Sequence, residues 1–111
     1  MGQDEIGDLG IVHLDGVQTL RTADETYSKL REGGGRYAVL EIDCLGVTEV
    51  DLSFIQMLIA ARTRARSMGR TLRLAHPASG ALLEALERGG FLTGIPDQAT
   101  DQAFWLQPEK A

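Results

Sequence analysis

The chain has 111 residues and a mass of 12.0 kDa, with 43% hydrophobic and 24% charged residues, which fits one globular domain and excludes a second full one. Eleven basic and sixteen acidic residues give a net charge of −5, which argues against nucleic acid or an anionic membrane as the main partner. The single cysteine, Cys44, excludes an internal disulfide and favours a reducing, cytoplasmic location. The longest apolar run, residues 54–61, is too short to insert directly across a bilayer.

The first predicted strand covers residues 10–14, where apolar and polar side chains alternate as in a strand with one buried face. The dipeptide Asp15-Gly16 is typical of a hairpin turn, because glycine readily adopts the left-handed backbone that such turns need. Residues 17–20 are therefore a candidate hairpin partner for this strand.

The first helix is predicted from the spacing of Thr22 and Glu25, which matches a capping box. In that motif the threonine hydroxyl accepts a free backbone N–H, and the glutamate reaches back to the cap residue. The helix is expected to extend to about Glu32 and to stop at the three glycines 33–35. Residues 37–42 then form a β-rich run that is typical of a central, covered strand.

The second helix is predicted to begin after Asp51, a good N-cap residue, and to end near Met68. A rotation of about 100° per residue places one apolar stripe on its core face, made of Phe54, Leu58, Ala61, Ala65 and Met68. The same projection places Ile55 and Ile59 on the rim of the helix, beside Arg62. Apolar side chains are slightly out of place there.

The rest of the chain continues the alternation of strands and helices. A strand is predicted over residues 71–75, a helix after the cap residue Ser79 that stops at Gly89-Gly90, and a last edge strand over residues 103–106. The element order is β(β)αβαβα(β), which implies crossover connections. We therefore predict an α/β fold with a small, mostly parallel or mixed β-sheet covered by helices in two layers.

The predicted domain covers residues 10–106 as one unit. Residues 1–9 are expected to form a flexible N-terminus, and residues 107–111 a C-terminal tail. Within the domain, five arginines crowd one short window: Arg62, Arg64, Arg66, Arg70 and Arg73. A solvated helix face running into a strand is the favoured interpretation, and the window is also a candidate edge for an acidic partner.

Residues that could carry chemistry are few. The two histidines, His13 and His76, have no motif partners for a catalytic triad, and Cys44 has no neighbouring ligands for zinc. Three carboxylates are expected near one strand end: Asp43, Glu49 and Asp51. They suggest an acid/base pair or a hard-metal site, but no Lys, Asn or His stands at a spacing that would complete one. We expect no metal, no cofactor and no catalysis.

The sequence VLEID at 39–43 followed by VTEVDLSFIQMLIA at 47–60 resembles the STAS family, the domain of anti-sigma-factor antagonists and of sulfate transporter tails. The resemblance continues through the strand at 71–75 and the break at Pro77, and covers about residues 10–106. It implies a small mixed sheet with helices, the same architecture that the residue pattern predicts.

The resemblance also bears on regulation. In the sigma-antagonist branch, a partner kinase phosphorylates the hydroxyl that directly follows an aspartate in a turn similar to Asp-Ser-Ser/Thr-Gly-Leu. Here Leu52 occupies that position, Ser53 matches the second hydroxyl, and Phe54 replaces the glycine. The stretch 55–61 is more similar to stand-alone STAS proteins of chemotaxis gene clusters. A further branch provides the small cytosolic subunit of lipid-transport ABC systems.

The resemblance implies a non-enzymatic protein–protein interaction module that acts as a regulatory adaptor in bacterial signalling. The corner from Asp51 to Ile59 is the expected docking surface, with these partner-binding residues: Asp51, Leu52, Ser53, Ile55, Ile59 and Arg62. One alternative is a regulator of transcription with Ser53 as the phosphoacceptor and an anti-sigma kinase as the partner. Others are the ABC-system subunit and an enzyme that uses the three carboxylates. The expected partner is a protein, and a homodimer stays open.

Overall fold

The computed structural model describes residues 7–92 and 99–106. Three parallel strands form one sheet in the order β1-β2-β3. The elements in chain order are β1 (Gly7–Gln18), a 3-10 helical turn (Leu20–Thr22), α1 (Ala23–Arg36), β2 (Tyr37–Val50), α2 (Leu52–Ser67), β3 (Thr71–Leu74), α3 (Gly80–Arg88) and α4 (Ala99–Leu106). The α/β fold class is confirmed. The predicted tail at 107–111 and residues 1–6 of the predicted flexible N-terminus lie outside the described residues.

Helices cover one face of the sheet. Along β1 and β2 buried residues alternate with more exposed ones, and the inward set includes Leu14, Leu40 and Ile42. Helices α1 and α2 contact each other over the sheet, α3 packs against β2, and α4 contacts β3. On the opposite face of β1, Leu9 and Ile11 are half exposed. The fold therefore has two layers, with the core between the sheet and its helices.

β1 is one long strand, and the predicted hairpin is wrong. It pairs in parallel with β2 from Gly7 to Gln18, so residues 17 and 18 extend the first strand instead of folding back on it. Gly16 adopts a φ of +68° at a shift in the register between the strands. The Asp15-Gly16 dipeptide therefore makes a local irregularity within the strand, because the parallel partner β2 holds the chain extended on both sides of it.

The three glycines 33–35 lie inside α1. The sequence pattern predicted that they would stop this helix, and that prediction is wrong. Gly33 is buried, and a Cβ atom built there would lie only 2.9 Å from Leu40 Cδ1. The absence of a side chain therefore lets α1 approach β2 closely, and this packing outweighs the low helix propensity of glycine. The helix continues to Arg36, directly before β2.

Thr22 is not the cap that the sequence predicted. It occupies the N-cap position of α1, but its side chain makes no capping hydrogen bond to that helix. Its hydroxyl instead accepts the backbone N–H of Thr19 at 3.1 Å and lies 3.1 Å from the Val17 carbonyl oxygen, to which it can donate. The capping box is thus formed one turn earlier, by Thr19 and Thr22, and not by Thr22 and Glu25.

The predicted edge strand at 103–106 is the end of α4. Phe104 and Trp105 are both buried, and the carbonyl oxygen of Trp105 accepts the backbone N–H of Ala78 at 2.8 Å. Successive side chains point to opposite faces of a strand but lie about 100° apart around a helix. A helix can therefore bury both aromatic rings in the core, whereas an edge strand would expose one of them.

Candidate functional site

Asp51 connects the end of β2 to α2 and caps α2 as predicted. Its Oδ1 accepts hydrogen bonds from Phe54 N at 3.2 Å and from Ser53 Oγ at 2.6 Å. Its Oδ2 accepts a third from the backbone N–H of Leu20 at 2.9 Å. The Ser53 hydroxyl is the largest cause that holds the pKa of Asp51 below its ordinary value, and the backbone donors act in the same direction.

The turn that carries Leu20 is anchored on its inner side by buried polar groups. Gln18 Nε2 donates to the carbonyl oxygen of Asp15 at 2.9 Å, and Thr26 Oγ1 donates to Gln18 Oε1 at 2.6 Å. Both Gln18 and Thr26 are buried, so these bonds are shielded from water. The chain around Leu20 is thereby held between β1 and α1 in one arrangement.

Two exposed leucines adjoin Asp51: Leu20 donates its backbone N–H to the carboxylate, and Leu52 follows Asp51 in the chain. Leu20 is 72% exposed and Leu52 is 54% exposed. We call the surface formed by Leu20, Asp51, Leu52 and Ser53 the Asp51 corner. The sequence did not identify Leu20 as part of the site, because the residue that holds it follows thirty-one positions later in the chain.

The other three predicted partner-binding residues lie farther along α2 and are not brought to the corner as a group. Ile55 is only 1% exposed, which corrects its predicted place on the rim. Ile59 is half-buried against the core, and the Arg62 guanidinium lies 5.0 Å from the centre of the Phe104 ring. Ile55, Ile59 and Arg62 are spaced i, i+4 and i+7 and so share one face of α2. Because Arg62 contacts Phe104, α4 lies on this face. The sequence-based prediction gave this face of α2 no neighbouring helix, because it placed residues 103–106 in an edge strand.

The three candidate carboxylates do not form one site. Asp43 lies within β2, and its Oδ2 is 3.0 Å from His13 Nδ1 on the neighbouring strand. The backbone N–H of Leu45, followed by the contact with His13, lowers the pKa of Asp43. Asp51 lies eight residues farther along an extended chain, about 25 Å away at the usual rise of a strand. Glu49 is exposed near the end of β2, and this geometry provides no acid/base pair with Asp43.

Cys44 and His76 line one small pocket beside Asp43. His76 is exposed, and burial raises the pKa of the Cys44 thiol to about 12. Across the described ranges, no three His, Cys, Asp or Glu side chains are grouped as metal ligands would be. In the same part of the chain, no helix combines the length and the apolar character needed to cross a membrane.

The start of α2 lies within the part of the chain that matches the sequence model of a known protein family. A family model described as "Mlab, STAS domain" matches residues 1–101, which is most of the chain. Comparison with curated proteins and with solved structures gives no significant match. The strand–turn–helix order around Asp51, the parallel sheet and this match agree with one another. The chain therefore belongs to the STAS domain family.

Proposed function

We propose that this protein is a non-enzymatic adaptor in bacterial signalling that binds a protein partner at the Asp51 corner. The observation that carries the proposal is the pair of exposed leucines next to Asp51: Leu20, whose N–H bonds to the carboxylate, and Leu52, the following residue. Apolar side chains at the centre of an interface contribute much of its binding energy when a partner removes them from water. Membership of the STAS family is consistent with a regulatory interaction module.

The hydrogen bonds of the Asp51 corner favour binding because they restrict the conformations of the corner in the free protein. Asp51 fixes the backbone of Leu20 from one side and the first turn of α2 from the other. A surface that is already ordered loses less conformational entropy on association. The backbone that carries the two leucines is therefore held in place before binding, which suits recognition of one partner.

Substitution of Leu52 by Asp tests this proposal. Leu52 is in the first turn of α2, where a carboxylate suits the helix dipole, so Leu52→Asp is expected to fold normally. The loss of the apolar anchor is expected to weaken partner binding by about 2 kcal/mol, or roughly thirtyfold in Kd. Leu9→Asp is the matched control, because Leu9 is 50% exposed on the open face of the sheet. This control is expected to bind like the wild type.

The binding experiment uses three purified candidate partners: an anti-sigma kinase, a chemotaxis signalling protein and the ATPase subunit of a lipid-transport ABC system. Calorimetric titration of each with the wild type and both variants identifies the partner class. A folded Leu52→Asp variant that binds with wild-type affinity would rule out the Asp51 corner as the docking surface.

A second candidate function is a phosphorylation switch at Ser53. Its hydroxyl donates to Asp51 Oδ1 at 2.6 Å, so a phosphoryl group there would remove this donor and place negative charge beside the carboxylate. Repulsion would then loosen the contact between Asp51 and Leu20. Incubation with ATP and an anti-sigma kinase, followed by intact-mass measurement, tests this candidate. A mass gain in the wild type that is absent from Ser53→Ala supports it, and an unchanged wild-type mass contradicts it.

A further inference from the structure

A cavity of about 450 Å³ lies between α1, α2 and the first residues of β2 and β3. Its volume falls within the range of roughly 300–1,000 Å³ that is typical of small-molecule sites. The apolar part of its wall comes from the facing sides of both helices and from the sheet below them: Leu30, Leu40, Met57, Ala61 and Leu72. The cavity can therefore hold an apolar body between the two helices.

Three arginines line the same cavity, each from a different segment. They are Arg31 on α1, Arg64 on α2 and Arg70 before β3. Within the described residues, none of the three has a carboxylate within 4.0 Å. Arg31 donates to the Tyr27 hydroxyl at 3.1 Å and Arg70 to the carbonyl oxygen of Gly34, which are both neutral acceptors. Three arginines that no carboxylate of the described residues neutralises thus line a cavity whose wall is largely apolar.

The protein carries a net charge of −5, and two arginines outside the cavity form ion pairs, Arg36 with Glu32 and Arg73 with Glu41. An anionic group bound in the cavity would form charge-assisted hydrogen bonds with these three cavity arginines. We propose that the cavity binds an amphipathic anion, with an acyl chain against the apolar wall and a carboxylate or phosphate head at the arginines.

The proposed ligand site is separate from the Asp51 corner. The corner includes the first turn of α2, whereas the cavity is lined by α2 residues from Met57 to Ala65 and by Met68 directly after the helix. Ligand binding and partner binding can therefore be tested independently, and failure of one does not imply failure of the other.

Four probes separate the contributions of head and chain. Dodecanoate and dodecyl phosphate, both kept below their micelle concentrations, carry the two candidate heads, dodecyl maltoside carries a neutral head, and inorganic phosphate carries no chain. We expect one molecule of an anionic probe to bind per chain, at least tenfold more tightly than dodecyl maltoside or inorganic phosphate, by calorimetry. Whichever of dodecanoate and dodecyl phosphate binds with the higher affinity identifies the preferred head group. Equal binding of dodecyl maltoside, or no binding of either anionic probe, overturns the proposal.

Two arginine variants locate the binding site. Arg64→Gln is expected to raise the Kd of the anionic probes about tenfold, because it removes one charged donor from the cavity. Arg66→Gln is the matched control, since Arg66 is exposed on the same helix and does not line the cavity. In the wild type, methyl NMR signals of Met57 and Met68 are expected to shift on binding. Equal weakening by both variants, or unshifted methionine signals with bound probe, overturns the assignment to this cavity.

Discussion

The Asp51 carboxylate accepts hydrogen bonds from Leu20, Ser53 and Phe54, and each of these bonds favours its ionised form. Its pKa in the folded protein consequently lies below the ordinary value of 3.8, although partial desolvation opposes the shift. A carboxyl group with a lowered folded pKa stabilises the fold above its unfolded pKa. That contribution is lost as the pH falls through the folded pKa.

Asp51→Asn is expected to reduce stability in a way that depends on pH. An asparagine can still accept hydrogen bonds through one oxygen, but its amide nitrogen cannot accept the N–H of Leu20. At pH 7 we expect a loss of about 1 kcal/mol in the free energy of unfolding, measured from urea titrations. The difference between wild type and variant is expected to shrink below pH 3.8, as Asp51 becomes protonated in the wild type.

The titration of Asp51 itself provides the check on this explanation. Ser53→Ala removes the hydroxyl that is the largest cause of the lowered pKa. In a carbon-detected NMR titration, the pKa of Asp51 is expected to rise towards 3.8 in this variant. An unchanged pKa would show that the Ser53 hydroxyl does not bond to the carboxylate in solution.

The residues of the corner differ in how well the sequence reveals them. Asp51 was identified as a cap because capping acts within a few residues, and that signal is local. Leu20 was missed and Ile55 was misplaced because both depend on distant segments. Leu20 is held from a position thirty-one residues later, and the Ile55 side of α2 is the side of α4. Local patterns do not report such contacts.

At the scale of elements, the packing of α1 against β2 depends on the residue at position 33. A Cβ atom there would lie 2.9 and 3.0 Å from the two methyl carbons of Leu40, which is 1% exposed and enclosed in the core. Carbon atoms normally pack at about 3.5–4.0 Å. We therefore expect Gly33→Ala to lower the free energy of unfolding by roughly 1–2 kcal/mol in denaturant titrations.

Gly35→Ala is the matched control for this prediction. It lies in the same helix, and a Cβ atom there would meet nothing within 4 Å. Alanine has the higher helix propensity, so Gly35→Ala is expected to raise the free energy of unfolding by about 0.5–1 kcal/mol. If both variants changed stability in the same direction, close packing at Gly33 could not be the reason that a glycine stands there.

The elements that the sequence predicted well are those whose signal is repeated along the chain. The apolar period of α2 and the β-rich runs of β2 and β3 each rest on several residues. Even there, β2 continues past its predicted end at residue 42 to Val50, and Met68 of the predicted core stripe is 44% exposed. The errors fall at single local signals: Asp15-Gly16, the glycines 33–35 and residues 103–106. In each case a contact with another element, such as Gly33 against Leu40, outweighs the local preference.

At the scale of the whole molecule, the reactivity of the Cys44 thiol distinguishes the folded from the unfolded protein. Burial raises the pKa of its thiol to about 12, and the nearby charge of Asp43 acts in the same direction. At pH 8 the thiolate fraction of such a group is on the order of a thousandfold lower than for an unfolded cysteine with a pKa of about 8.5.

We expect the native protein to react with a disulfide reagent at pH 8 roughly 50-fold more slowly than the protein unfolded in urea, because the greater nucleophilicity of a high-pKa thiolate offsets part of its lower abundance. Absorbance of the released thiolate measures both rates. Addition of urea below the unfolding midpoint is expected to accelerate the native reaction as opening of the fold becomes more frequent. Equal rates in the native and unfolded states would contradict the enclosed position of the thiol.

The parallel pairing of β1 with β2 has a consequence for how the protein folds. Gly7 pairs with Tyr37 and Gln18 with Val50, so every pair along this long ladder joins residues thirty or more positions apart. The chain must close the loop that contains α1 before any of these pairs can form, and this cost in entropy comes before the gain in contacts. We therefore expect a long-range encounter to limit the rate of folding, with the apolar residues of β1 exposed to other chains until that encounter succeeds.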